Sequence, residues 1–377
     1  MRMTDEKIDY RFKMLYAISM VMVVAGHVTY EGGVSLFSNW FPYYGFHLAL
    51  FMFCSGYFYN PYVETDIFQY LLKNIRKLII PLYIYNFIYG LISELLILKG
   101  FTFSYPLNFY NLFISPLING HAFALNLGGW FIAPLFMVKI FSVILFKLLK
   151  KIKLYKYQFL ICIILGAVGI SLANYGYNQN LWLALTRFLY FIPFYSLGVY
   201  YKNVLEIKTS KIPNIYYFGF ILFIQLTICC IYKTTPAYSQ AWMQGFNSNP
   251  FVPILVGFIG IAFWMRIVII LEPVLGHSKY INLIANNTFS IMMNQFIGFM
   301  FIKVIYAVLC KLKIAFFDFD WILFKSEKMY YYLPENISWL SILYVIAGIA
   351  IPILIQYGID YVKLTLCSKF LQKKIMK

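Results

Sequence analysis

Two histidines have the type and spacing to do chemistry. His27 lies near the end of an apolar run over residues 12–30, and His47 sits in the next run, 41–59, within Phe46-His47-Leu48-Ala49-Leu50-Phe51-Met52-Phe53-Cys54-Ser55-Gly56-Tyr57. The runs share a short loop, so consecutive helices carry both imidazoles toward that loop, about 6 and 9 Å below the helix ends at 1.5 Å per residue. A neutral imidazole in a partly dry, water-connected cavity is a good general base near pH 7, and a nearby carboxylate orients it and stabilises the imidazolium. Glu31, four residues after His27, is the candidate carboxylate if the helix continues that far. The alternative is that each ring merely hydrogen-bonds a neighbouring helix or reaches the headgroup layer.

Other ionisable groups within apolar runs include Glu94, Lys139 and Arg187, each a candidate site because burial of charge in a membrane is costly. Lys139 lies about ten residues into its run, too deep to reach either surface easily, and has to face a cavity, a carboxylate or a bound anion. Lys73, Arg76 and Lys77 precede Ile79-Ile80-Pro81, which reads as a helix start. Basic side chains and free N–H groups there suit phosphates; the alternative is ordinary topology-setting charge.

The elements that position these residues are membrane spans. The 377 residues are 62% hydrophobic and 12% charged, with mean hydropathy +0.73, far from a soluble domain. Ten runs are long enough to cross a bilayer core: 12–30, 41–59, 78–98, 129–147, 157–173, 182–200, 214–232, 251–271, 284–307 and 338–361. They are solidly apolar rather than alternating, which indicates helices and not barrel strands. The expected fold is an all-α polytopic membrane protein of about ten helices, one domain over 1–377, with both termini cytoplasmic. The net charge of +17 is concentrated in alternate loops, as the positive-inside rule requires. Those residues orient the chain and meet anionic lipid, so nucleic acid is not needed as a partner. The six cysteines form no C-x-x-C pair and no His/Cys cluster, so neither a disulfide framework nor a metal site is expected. The first run has no small-residue cleavage site before it and reads as retained. Two long outer loops, about 99–128 with His121 and about 308–337, are rich in aromatic residues that suit an interfacial belt or stacking on sugar rings.

The segment from Phe46 to Tyr57 resembles the F-H-M-P-L-F-F-F-I-S-G-Y signature of the acyltransferase family 3 membrane proteins, particularly fucose-4-O-acetylases and capsule O-acetyltransferases. Ala17 to His27 is similar to that family's first helix, Gly129 to Phe136 to its W-F-L-x-x-L-F segment, Pro193 to Gly198 to P-F-F-x-L-G, and Asn287 to Met293 to N-T-F-S-I-Y. The resemblance implies a bacterial plasma-membrane enzyme that moves an acyl group, usually acetyl, from acyl-CoA to a hydroxyl of an envelope or lipid-linked glycan. It makes His27 and His47 catalytic, with Glu31 in support. It turns the basic set around Arg76 and Lys77 toward the CoA phosphates; Lys73 and Lys139 are the further candidates for acetyl-CoA, and Trp130, Arg187 and Asn294 those for the acceptor. Tyr16 stands where the family often has a basic residue, with Arg11 or Lys13 as substitutes, and Ala49 stands where proline is usual. Asn294 and Gln295 follow the late segment where a histidine is common. The rival readings are a polysaccharide polymerase, which needs a large basic outer loop, and a flippase, which is favoured by inverted repeats and broken central helices.

Overall fold

The computed structural model describes residues 8–28, 45–233, 236–327 and 332–375; among them the regular structure is helical, with no strand. The first helix, α1 (Tyr10–Gly26), is capped by the Asp9 carboxylate, which accepts from the Arg11 N–H. After it come α2 (His47–Tyr57), α3 (Ile67–Leu98), α4 (Ala124–Lys151), α5 (Tyr155–Asn174), α6 (Asn180–Ser210), α7 (Asn214–Tyr232) and α8 (Phe251–Leu275). The chain closes with α9 (Lys279–Asn286), α10 (Thr288–Lys311), α11 (Trp321–Ser326) and α12 (Ser341–Ile375).

Eight of these helices are long and apolar enough to cross a membrane, against ten expected runs. The other two runs form α1, with 17 residues, and α2, with 11. As a helix α2 rises only about 16 Å, roughly half a bilayer core. It is wedged instead between α1 and α6, and ten of its eleven residues are buried. Close approach explains the small residues there. A Cβ on Gly56 would lie 1.9 Å from the Tyr195 carbonyl oxygen, and one on Gly198 2.1 Å from that of Phe53. In lipid, where apolar side chains gain little from leaving the solvent, such backbone-to-backbone contact is what binds helices together.

The centre of the molecule is α6. Every residue from Leu189 to Val199 is buried, as expected for a helix that is apolar all round. Both α2 and α5 pack against it; α10 packs on α12, where a Cβ on Gly298 would lie 2.4 Å from the Ala347 carbonyl oxygen.

The segment between the runs 41–59 and 78–98 is largely helical. Asp66 caps a helix that starts at Ile67 and runs unbroken to Leu98. Pro81 is therefore not at a helix start. The turn before it widens over Ile75–Ile79, closed by the Ile80 N–H on the Ile75 carbonyl. This accommodates both the missing N–H of Pro81 and the clash its ring would make one turn back.

Candidate active site

Both histidines line one cavity of about 70 Å³. His47 opens α2 immediately after Phe46, whose ring occupies the space a Cβ on Gly260 would fill. His27 follows the last turn of α1, its N–H bonded to the Val24 carbonyl, and its ring meets Phe296 of α10 edge-on at 4.9 Å. The walls are mostly apolar, with Met20, Val23, Leu48, Phe51, Phe131 and Met292, and the polar lining adds Trp130, Ser239 and Gln240. A water needs about 10–15 Å³ of such space, so the cavity holds several waters or one small polar group. Two imidazoles in a small, mostly apolar chamber are suited to moving a proton at a reacting hydroxyl.

Trp130 reaches the cavity through an unusual turn. Ala124–Phe131 is a tightened 3-10 segment with a kink at Asn126, and it continues into the long helix of α4. Gly128 presses on α10, where a Cβ would lie 2.1 Å from the Met292 carbonyl oxygen. Behind Trp130 lies Arg187 of α6, 1% exposed, with its guanidinium 4.5 Å from the indole centroid. Its donors go to the carbonyls of Ala241 (2.9 Å), Asn119 (3.1 Å) and Ile118 (3.3 Å) and to His121 Nε2 (2.9 Å). Arginine can only donate, so Nε2 accepts and the ring proton of His121 is on Nδ1. Burial, together with the adjacent guanidinium, pushes His121 down to about 3, so the ring is neutral. Arg187 thus does not open into the cavity; it fastens Trp130, the 118–121 turn and the Ser239–Ala241 wall to one another. Sequence reasoning missed that wall. Ser239, Gln240 and Ala241 sit in a loop, and their only signal was polar and aromatic residues interleaved between two apolar runs.

The remaining candidates lie elsewhere. Asn294 is buried in α10 away from the cavity lining: its Oδ1 accepts from Tyr89 at 2.6 Å and its amide donates to the Ser290 carbonyl. Its amide ties α3 to α10. Glu94 accepts from the Leu107 N–H and anchors the following loop. Glu31 lies outside the described residues. Lys303, inside the run 284–307, is fully buried within α10, its ammonium against the rings of Phe324 and Phe103.

At the other end of α2, Lys73, Arg76 and Lys77 project into an open cleft of about 740 Å³ that also exposes Tyr62, Asp66, Gln69 and Tyr70. Because α3 starts at Ile67, these cations stand on the side of a continuous helix, and no free N–H groups of a helix start accompany them. Lys139 of α4 comes within electrostatic reach of Lys77 and Lys73. Arg11 cannot contribute to such a cluster, since it is paired with Glu206 at 2.7 Å and Asp9 at 2.6 Å, and Tyr57 closes the network on Glu206. Among the described residues no group of three or more His, Cys, Asp or Glu is placed to hold a metal ion.

A family model described as an acyltransferase domain, that of the acyltransferase 3 proteins, aligns with residues 10–359, nearly the whole chain. No curated protein and no solved structure matches.

Proposed function

The chain belongs to the acyltransferase 3 family, and on that premise we propose that it is a multi-pass O-acetyltransferase of the bacterial plasma membrane, carrying acetyl from acetyl-CoA to a hydroxyl of a cell-surface or lipid-linked glycan. The observation that carries this reading is the meeting of His27 and His47, from separate helices, in one small cavity. Acetyl-CoA presents phosphates and a thioester at opposite ends. Lys73, Arg76 and Lys77, with Lys139 behind them, form a cluster of one sign in an open cleft, which suits the phosphates. From the first to the last residue of α2 is about 15 Å, the order of distance that the pantetheine arm has to cover.

In this scheme one imidazole takes the proton from the acceptor hydroxyl as its oxygen attacks the thioester carbon. The tetrahedral intermediate collapses, the C–S bond breaks, and a proton returns to the departing thiolate. The apolar walls keep bulk water from competing for the acyl group. The test is transfer of labelled acetyl from acetyl-CoA to surface polymer by membranes holding wild-type, His27→Ala or His47→Ala protein at equal abundance. Loss of transfer in both variants is expected. Full activity in both would remove the assignment.

A further inference from the structure

We infer that Trp242 is a stacking platform for a sugar ring of the acceptor, placed at the mouth of the histidine cavity; this rests on the acetyl-transfer reading above. The indole belongs to a tight turn in which the Ser239 and Gln244 backbones pair in both directions, at 3.0 and 3.1 Å. Ser239, Gln240 and Ala241, the three residues before it, line the cavity. Trp242 itself is 47% exposed while Gln240 and Met243 on either side are buried. One face of the ring lies on His121, with centroids 4.0 Å apart at 25°. His121 in turn is held by Arg187, whose other bonds fix the Ala241 carbonyl. The indole is therefore backed by His121 and, through it, by the buried Arg187, and its exposed side stands beside the loop that lines the chamber.

A ring fixed on one side and open on the other is the arrangement that takes a pyranose. The sugar's C–H face carries partial positive charge and meets the negative π face, while its hydroxyls stay available at the edge. Ser239 supplies a polar group to meet those hydroxyls where the chain turns into the cavity. The opposing explanation is an interfacial anchor, as for many tryptophans at membrane depth. Anchors stand on the perimeter and face lipid; this indole stands on a loop that walls the cavity and leans on a residue bonded to its core.

The test uses the full-length protein in detergent with de-O-acetylated repeat-unit oligosaccharide from the host's own surface polymer. Binding is measured by calorimetry without donor, and transfer is measured with labelled acetyl-CoA. Trp242→Ala is expected to weaken oligosaccharide binding and raise the acceptor KM about three- to tenfold, as loss of one aromatic stack implies. The donor KM and the melting temperature stay as in wild type, and Trp242→Phe recovers most of the loss. Oligosaccharide binding equal to wild type in Trp242→Ala overturns the proposal, as does an effect confined to partition into phosphatidylglycerol vesicles. Trp242-dependent binding without acetyl transfer by the wild type leaves the platform standing and removes the acetyltransferase reading instead.

Discussion

The two ends of α2 meet opposite surroundings. At its first residue the histidine chamber is small, about 70 Å³, and mostly apolar, walled by residues of α1, α2, α4, α10 and the 239–241 loop. Beyond its last residue the basic cleft is ten times larger, about 740 Å³, open, and lined by exposed cations on α3. A reacting centre gains from exclusion of water and from side chains held in place. A site for a multiply charged, hydrated group gains from long-range attraction and has no need of a tight fit. On the proposed reading, the contrast separates recognition of the donor from the chemistry and makes α2 the spacer between them.

The comparison breaks most sharply at the chamber. His27→Ala and His47→Ala are each expected to lower kcat by about 10²–10⁴-fold, the span for loss of a general acid or base. The measurement is single-turnover acetyl transfer, and unchanged melting temperature shows that the fold survives. Next in size is the spacer itself. Gly56→Leu forces a side chain into the Tyr195 backbone and is expected to cost about 3 kcal/mol or more, because a carbonyl in a helix cannot move aside. A detergent melt with a lower midpoint and lost transfer checks it; a wild-type melt would mean that α2 and α6 are farther apart.

The other end is expected to answer differently. Replacing Lys73, Arg76 and Lys77 together by Gln should raise the acetyl-CoA KM about ten- to a hundredfold, the loss of roughly 1.4–2.8 kcal/mol of charge-assisted contact, with kcat close to wild type. The wild-type KM should rise with salt and that of the triple variant should not. A fall in kcat at unchanged KM would show that the cleft is not where the donor is recognised.

How much of this was legible beforehand follows from where side-chain type decides structure. Solid apolar runs fixed the existence of the spans, because lipid leaves a backbone few alternatives. The pairing of His27 with His47 followed from two runs joined by one short loop. The length of α2 was not legible: an apolar segment wedged against α6 and one that crosses a bilayer have the same composition. Nor was the start of α3, since Pro81 signals a helix beginning while a widened turn at Ile75–Ile79 carries the helix past it. Arg187 was recognisable as costly, but its role was not. No carboxylate partner appears in sequence because its partners are carbonyls of Ile118, Asn119 and Ala241, which every residue possesses.

That cluster offers the smallest of the expected effects. The folded chain holds His121 neutral, with its value lowered from 6.5 to about 3 by burial and then by Arg187. Above pH 6.5 the group is neutral both folded and unfolded and adds no pH dependence. As the pH falls below 6.5 the unfolded chain takes up a proton that the folded chain does not, and stability declines. His121→Gln, which retains an acceptor for Arg187, should flatten the melting temperature between pH 7.5 and 5 relative to wild type. An unchanged slope would mean that the ring titrates freely.

The most direct test of the central claim is a rapid-mix assay of purified protein in nanodiscs, with labelled acetyl-CoA and de-O-acetylated polymer, comparing wild type with His47→Gln and His27→Gln. The account predicts acetylated polymer from the wild type alone, with acetyl-CoA still bound by both variants. Acetylated polymer formed at the wild-type rate by either variant would contradict the claim that both imidazoles of the cavity carry the reaction.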